Sequence, residues 1–309
     1  MNTFTKIKVV GLGGSGSNAI SRMKKCKIKG VELIAINTDA QDLVKARADL
    51  KLRIGRKTTE GLGAGMNPEI GRKSALENRQ EISDILKGAN MVFITCGLGG
   101  GTGTGASPIV AEAAKELGIL TLAVVTKPFS FEGQVRQRFA ENGLKKLKEK
   151  VDTLISISND KLLSTLDQSI PLANAFWVCD DVLRQAVQGI SDLILLPGII
   201  NVDFADIRAI MASAGSALFG VGRAEGEGRA GKAALAAINS PLLDISIKGA
   251  RGVLFNVSGG KDISLSEINE VASVITQEVN PEAKIIFGAV QDERLKKGEI
   301  KVTIIATGF

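Results

Sequence analysis

The chain has 309 residues, more than a single hydrophobic core usually serves, so two domains are expected. Its 44% hydrophobic and 23% charged residues are typical of a globular protein. The formal charge of +6 is scattered, and one Trp with no Tyr gives no stacking platform for nucleic acid. With three cysteines lacking CxxC spacing and no histidine, disulfide, zinc and His-triad chemistry is not expected.

The first half alternates apolar runs with helical patterns. Strands are predicted at KIKVVGLGG, GVELIAINTD, NMVFITC, ILTLAVVTKPF and DTLISISND. SPIVAEAAKELG predicts a helix with Ser107 as N-cap, Pro108 as its first residue and Gly118 at its end. This alternation predicts a mostly parallel sheet with helices on both faces.

The second half begins with one long helix at 171–196, ended by Pro197 and Gly198. A helix at 204–216 follows, and the remaining patterns are the strands SALFGVGRA, RGVLFNVSGG, AKIIFGAVQD and EIKVTIIATGF and the helix LSEINEVASVITQEV. The expected fold is α/β: a Rossmann-like parallel-sheet domain at 1–170, a central connecting helix at 171–196 and an α+β domain at 197–309. No apolar run approaches the roughly 20 residues of a membrane span.

The segment GLGGSGSNAI follows the first strand and opens a helix. Gly11, Gly13 and Gly16 satisfy G-x-G-x-x-G, and Asp39 lies at the end of the next strand, as in dinucleotide-binding proteins. A strand-to-helix turn that needs positive φ angles would also recruit glycines. A phosphate at this helix N-terminus is the favoured interpretation.

A second glycine-rich segment, GLGGGTGTG, stands at the equivalent position after the third long strand. Its bare backbone and the hydroxyls of Thr102 and Thr104 suit phosphate oxygens. Two such segments favour a longer phosphate chain than the pyrophosphate of a dinucleotide. Because GxxxxGK[ST] is absent from the sequence, the protein is not a P-loop nucleotidase.

In order, the motifs resemble the tubulin and FtsZ superfamily, and most closely its bacterial FtsZ family, from end to end. They are GLGGSGSNAI, AINTDAQ, GLGAGMNPEIGR, GLGGGTGTGASP, VVTKPFSFEG, SNDKLL, NVDFADIR and VTIIATGF. The resemblance implies the tubulin/FtsZ fold and a self-assembling GTPase. It further implies head-to-tail protofilaments that form the ring of bacterial cell division.

The resemblance also implies which residues bind the nucleotide. Phosphate contacts are expected from two sets of residues, Gly13, Gly14, Ser15, Gly16, Ser17 and Asn18 in the first loop and Gly99, Gly100, Gly101, Thr102, Gly103 and Thr104 in the second. The γ-phosphate sensor and the ribose and phosphate edges correspond to Gly63, Ala64, Gly65, Glu132, Arg136, Asn37, Asp39 and Asn159. Ser15 and Ser17 replace common family glycines, which is tolerable if their φ angles are negative.

The base is expected at the long helix, where Phe176 would pack against the purine and Asp180, beside Asp181, would read its edge. A carboxylate accepting from the N1–H and N2 amine of guanine would select GTP over ATP. Helical spacing alone would instead make Phe176 a core residue.

The catalytic carboxylates are implied to be Asp203 and Asp206, with Asn201 nearby. By resemblance, their loop enters the nucleotide pocket of the next subunit and polarises the attacking water. The pattern alone also fits helix capping, with Asp203 as N-cap. Mg²⁺ is expected to bind through the GTP or GDP phosphates, with no protein ligand.

The implied main partner is another copy of this chain. Membrane-anchoring and regulatory division proteins are expected through a C-terminal tail beyond residue 309, and the expected location is the cytoplasm at mid-cell. Two other functions stay open: an NAD-dependent oxidoreductase, supported only by the G-x-G-x-x-G match, and a structural polymer with negligible turnover.

Overall fold

The structure, a computed structural model, describes residues 5–28, 30–164, 171–196, 198–240, 246–292 and 294–309. The chain forms two compact units, Met1–Gln188 and Gly189–Phe309. The division falls within the long helix α8 (Leu172–Leu195), whose bounds agree with the helix predicted at 171–196. Pro197, predicted to end it, lies outside the described residues.

Six parallel strands form the sheet of the first unit, in the spatial order β3-β2-β1-β4-β5-β6. In chain order they are β1 (Ile7–Leu12), β2 (Val31–Asn37), β3 (Leu50–Arg53), β4 (Met91–Gly97), β5 (Leu120–Lys127) and β6 (Thr153–Ser158). Val10 at the centre pairs with Ile34 on one side and Ile94 on the other, and all three are fully buried. The strands therefore read as continuous apolar runs because helices cover both faces.

Within the described residues of the first unit, seven further α-helices connect or flank these strands. They are α1 (Gly13–Lys25), α2 (Ala40–Lys45), α3 (Pro68–Glu77), α4 (Arg79–Leu86), α5 (Gly101–Glu116), α6 (Gln134–Lys148) and α7 (Asn159–Ser164). Ile82 of α4 and Val110 of α5 lie in one core cluster with Val10 and Ile94. Each such side chain stabilises the fold by about 1.5–3 kcal/mol through burial.

Helix α5 begins earlier than the sequence predicts. Its first residue is Gly101, and Pro108 lies inside the helix, so the prediction of Ser107 as N-cap is wrong. The reason is packing: a Cβ at Gly105 would stand 2.0 Å from the carbonyl oxygen of Pro68 in α3. The last glycines of GLGGGTGTG thus belong to a tight helix–helix contact rather than to a loop.

The described part of the second unit contains four strands in the order β7-β10-β8-β9. Its remaining elements are α9 (Phe204–Met211), β7 (Gly215–Glu225), α10 (Arg229–Ile238), β8 (Gly252–Gly259), α11 (Leu265–Thr276), β9 (Lys284–Gln291) and β10 (Glu299–Thr307). Strand β10 is antiparallel to β7 and β8, so this unit is α+β as predicted. The predicted helix 204–216 is too long, because the chain turns at Ser213, with φ 53°, before entering β7.

Candidate functional site

A cavity of about 460 Å³ opens where β1 and β4 end. The order of the strands reverses between these two neighbours, and ligands of open parallel sheets bind at that point. Helices α1 and α5 both begin at the cavity, with Gly13 and Gly101 as first residues. Two helix N-termini, each with free N–H groups, favour an anion in the space between them.

The floor of the cavity is made of backbone from both glycine-rich segments. Gly13 has φ +69°, and a Cβ there would stand 3.1 Å from the backbone nitrogen of Gly103. Thr102 also faces the cavity, and its hydroxyl lies 2.6 Å from that of Thr38. Because side chains are absent at these glycines, phosphate oxygens could approach the N–H groups directly.

Polar side chains from the turn after β2 line the same end of the cavity. The Asn37 amide donates to Asp42 Oδ2 at 2.7 Å, and the Asp42 N–H donates to Asp39 Oδ1 at 3.0 Å. Burial, and then the neighbouring charge of Asp39, raise the pKa of Asp42. Both carboxylates thus accept hydrogen bonds from within this turn.

A second group of polar side chains lies on the side formed by α6 and α7. Glu132 Oε2 is 3.0 Å from Arg136 Nη1, and Glu132 Oε1 accepts from the Phe129 N–H at 2.8 Å. Asn159 is 5% exposed, and within the described part of the chain its Oδ1 atom has no hydrogen-bond partner. A buried acceptor without a partner indicates a donor that is supplied from outside, such as a hydroxyl of a ligand.

The fourth side is formed by α8. Phe176 is 41% exposed and contacts Phe129 edge-on, with 5.3 Å between ring centroids. The expectation of a core position for Phe176 is therefore wrong, because its ring lines the cavity. Asp180 also lines it, with its Oδ2 atom 3.5 Å from Arg22 Nη2. Burial raises the pKa of Asp180 to about 6, although Arg22 opposes that shift.

Most of the predicted binding residues meet in this one cavity. Those that line it are Gly13, Gly14, Ser15, Asn37, Asp39, Gly63, Ala64, Gly65, Gly100, Gly101, Thr102, Gly103, Glu132, Arg136, Asn159, Phe176 and Asp180. Positive φ angles outside glycine occur among the described residues only at Lys27, Glu60, Met66 and Ser213. Ser15 and Ser17 thus have no positive φ angle, which is the condition for serine to replace glycine at these positions.

Six other predicted binding residues do not line the cavity: Gly16, Ser17, Asn18, Gly99, Thr104 and Asp181. A Cβ at Gly16 would stand 2.7 Å from the Thr95 carbonyl oxygen, so Gly16 allows α1 to pack on β4. The Thr104 hydroxyl accepts from the Gly99 N–H at 2.8 Å. Asp181 instead forms an ion pair with Arg184 at 2.6 Å.

Several lining residues were not predicted: Leu12, Thr38, Asp42, Leu62, Met66, Gly97, Leu98, Thr126, Pro128 and Cys179. Two of them, Gly97 and Thr126, are at or next to the C-terminal ends of β4 and β5. Their position after apolar runs was a usable signal, since strand ends in a parallel sheet share one edge.

The predicted catalytic residues belong to the second unit. Asp203 occupies the N-cap position of α9, and Asp206 lies in its first turn, but no side-chain capping bond forms at Asp203. The side-chain Oδ1 atom of Asn201 accepts from the Gly198 N–H at 2.7 Å. All three side chains are exposed. The Asp203 carboxylate is thus exposed and not used in capping, and the Asp206 carboxylate is exposed in the first turn of α9.

The fold and the cavity define a class: a nucleotide-binding protein with a parallel sheet and two glycine-rich helix starts, distinct from P-loop proteins. Residues 6–167 match the family model described as Tubulin/FtsZ family, GTPase domain, and residues 215–309 match FtsZ family, C-terminal domain. The chain belongs to the Tubulin/FtsZ family and is a GTPase of FtsZ type. This sets aside the oxidoreductase alternative.

Solved structures agree with this assignment. The chain is similar to an empty FtsZ dimer from M. jannaschii, with 49% identity, a TM-score of 0.95 and coverage of 100% of this chain and 89% of that one. The W319Y mutant of the same FtsZ matches with the same identity and TM-score, over 99% and 92%. CetZ2 from Haloferax volcanii, a GTPgS-bound protofilament, is 20% identical with a TM-score of 0.83 over 98% and 94%, which supports the fold alone.

Within the described residues, no helix is long and apolar enough to cross a membrane. In the same part of the chain, no group of three or more His, Cys, Asp or Glu side chains is arranged to hold a metal ion.

Proposed function

We propose that this chain binds GTP in the cavity and hydrolyses it when a second copy stacks head-to-tail over the nucleotide. The observation that carries this proposal is that carboxylates lining the cavity are already paired with groups of their own subunit. Asp42, Glu132 and Asp180 each face a donor or cation of their own subunit. The exposed carboxylates of the second unit are the better candidates to act on water, and they would do so in a neighbouring copy.

Separate groups of residues hold the phosphates, the ribose and the base of the nucleotide. The phosphates lie at the N-termini of α1 and α5, where N–H groups and the Thr102 hydroxyl donate to them. Gly63 and its neighbours contact the γ-phosphate, and the ribose lies at Glu132, Arg136 and Asn159. The guanine packs on Phe176 and donates its N1–H and N2 amine to Asp180, which excludes adenine.

Hydrolysis is assigned to Asn201, Asp203 and Asp206 of the adjacent subunit. They orient and polarise a water whose oxygen attacks the γ-phosphorus, and the bond from that phosphorus to the β,γ-bridging oxygen breaks. The products are GDP and inorganic phosphate. The carboxylates of the cavity nearest the phosphates would be Asp39 and Asp42, and a Mg²⁺ ion held there through the nucleotide would supply positive charge against the developing negative charge.

Assembly follows from the same contact. A head-to-tail interface that does not close produces an open filament. Loss of the γ-phosphate releases the segment that it orders, which weakens the interface and lets the filament turn over. Such filaments form the ring of cell division at mid-cell in the cytoplasm, and membrane-anchoring and regulatory proteins join through a C-terminal tail.

The direct test combines light scattering with phosphate release. Assembly and release are expected with GTP, assembly with neither ATP nor NAD, and no release from GDP. Assembly with ATP, or none with GTP, would contradict the proposal.

A mixing experiment tests the shared site. Asp203→Ala is expected to bind GTP and assemble but to lose most turnover, and Asp180→Ala to bind GTP poorly while remaining folded. At equal amounts, about a quarter of random head-to-tail contacts join an intact pocket to an intact Asp203 loop. Phosphate release by the mixture must therefore exceed that of either variant alone. Wild-type turnover by Asp203→Ala would refute the role of Asp203.

A further inference from the structure

Trp177, the single tryptophan of the chain, lies next to Phe176 on α8. Its side chain is 52% exposed, so it does not serve as a core residue. The guanidinium carbon of Arg22 lies 4.6 Å from the centroid of its ring. Arg22 is on α1, so the ring and the cation form a cation–π contact between two helices of the first unit.

Arg22 reaches Asp180 from this stacked position. Its Nη2 atom is 3.5 Å from Asp180 Oδ2, and the two side chains are only 18% and 14% exposed. The Arg22 Nε atom is buried and has no hydrogen-bond partner among the described residues. Arg22 and Asp180 thus do not form a bidentate pair that would fix the guanidinium. Its position therefore depends on the ring of Trp177, on which it stacks.

We propose that Trp177 and Arg22 act as a positioning pair that keeps the Asp180 carboxylate charged and aimed into the cavity for guanine. The inference rests on the proposed role of Asp180 in reading the base. An ionised carboxylate accepts two hydrogen bonds from the N1–H and N2 amine, whereas a protonated carboxyl loses the charge that strengthens them. Trp177 thus contributes to guanine specificity without contacting the nucleotide.

The charges around Asp180 agree with this role. Burial raises the pKa of Asp180 to about 6, Arg22 lowers it, and Asp181 on the same helix raises it. Asp181 is itself paired with Arg184. Burial first, with Asp180 and Glu132, raises the pKa of the Cys179 thiol to about 12, so this neighbour stays neutral. Of these groups, Arg22 is the cation directly opposite Asp180.

A purely structural contact between α1 and α8 would behave differently. Loss of such a contact would lower the thermal stability but leave the pH dependence of nucleotide binding unchanged. Loss of the positioning pair raises the pKa of Asp180, so affinity for guanine nucleotides falls at a higher pH than in the wild type. The pH profile therefore separates the two roles.

The test is calorimetric titration with GDP from about pH 5.5 to about pH 8.5 for wild type, Trp177→Ala and Trp177→Phe. The ratio of variant to wild-type Kd cancels the titration of the nucleotide phosphates. For Trp177→Ala we expect a ratio near one at the alkaline end, rising about three- to tenfold near pH 6. Trp177→Phe retains a stacking face and is expected to stay within about twofold of wild type.

Inosine diphosphate, which lacks the 2-amino group, gives a second readout. Wild type is expected to prefer GDP over inosine diphosphate, and Trp177→Ala to lose part of that preference at low pH. A flat Kd ratio with unchanged preference would overturn the inference. If Trp177→Ala fails to fold, as judged by circular dichroism, Arg22→Gln is tested by the same criteria. A wild type that does not bind GDP would instead contradict the proposed function.

Discussion

Substitution of Gly71 by alanine is expected to disrupt the site from outside the cavity. Gly71 lies on α3, and a Cβ there would stand 2.2 Å from the Gly101 carbonyl oxygen and 3.0 Å from the Thr102 Cα atom. Both contacts are with backbone, so no rotamer change relieves them. Alanine gains about 1 kcal/mol of helix propensity, but overpacking in such a place typically costs about 1–3 kcal/mol.

The severity of the clash places Gly71→Ala at the upper end of that range, with a net loss of about 1–2 kcal/mol in the free energy of unfolding. For a unit of this size the melting temperature should fall by about 2–8 °C. Because α5 must move away from α3, Gly101 and Thr102 shift as well, and GDP affinity should fall. Thermal unfolding by circular dichroism and calorimetric titration with GDP measure the two effects.

Gly231→Ala is the matched control, because Gly231 is also inside a helix, α10. A Cβ there would meet the Glu270 Oε1 atom at 2.5 Å, and this flexible side chain can rotate away. Gly231→Ala should therefore leave GDP binding unchanged and stabilise the protein slightly. If Gly71→Ala matched Gly231→Ala in both measurements, the packing argument for the α3–α5 contact would fail.

Two other predictions concern single polar groups of the cavity. Asn159→Ala removes a buried acceptor that has no hydrogen-bond partner within the described ranges. The melting temperature should therefore stay near wild type while GDP affinity falls about three- to tenfold, and equal affinity would contradict a ligand contact. In the folded protein the pKa of Asp180 is about 6, above its usual 3.8. Ionisation of Asp180 therefore costs more in the folded than in the unfolded state, and the wild type loses stability as pH rises through this interval. Asp180→Asn lacks the titrating group. In chemical unfolding, the free energy of unfolding of Asp180→Asn should rise by about 1–3 kcal/mol relative to wild type between pH 4 and pH 7.5. A difference that stays constant with pH would argue against the raised pKa of Asp180.

The fold was largely predictable because its strands are apolar runs separated by helical patterns. The missed start of α5 has a clear cause. Pro108 is typical of a first helical turn, and the glycines before it are typical of a loop, so local propensity favours a helix that begins at Ser107. The glycines are instead required by contact with α3, which a propensity argument does not contain. Packing between helices overrides local preference at this point.

Cavity residues were predictable where binding depends on the local backbone. They were less predictable where it depends on contacts between side chains of different elements. Gly13 and Gly103 were predicted because bare backbone near a helix N-terminus indicates phosphate. The contact of Arg22 with Trp177 and Asp180 was not, because Arg22 on α1 is far in sequence from the two residues on α8. Asp42 was missed for a related reason: its pairing with Asn37 becomes visible only once the turn after β2 is folded.

The same physical feature, the absence of side chains, has two consequences in GLGGGTGTG that the sequence does not separate. At Gly100, which lines the cavity and has nothing within 4 Å of an added Cβ, it leaves the backbone open. At Gly101 and Gly105 it lets α5 approach the segment from Ala64 to Arg72. A Cβ at Gly101 would stand 2.7 Å from the Ala64 Cβ atom, so α5 directly touches the loop proposed to sense the γ-phosphate. A displacement of that loop on loss of the γ-phosphate would therefore press on α5 and α3 together. The segment proposed to hold the nucleotide thus also brings α5 into contact with the loop proposed to sense the γ-phosphate.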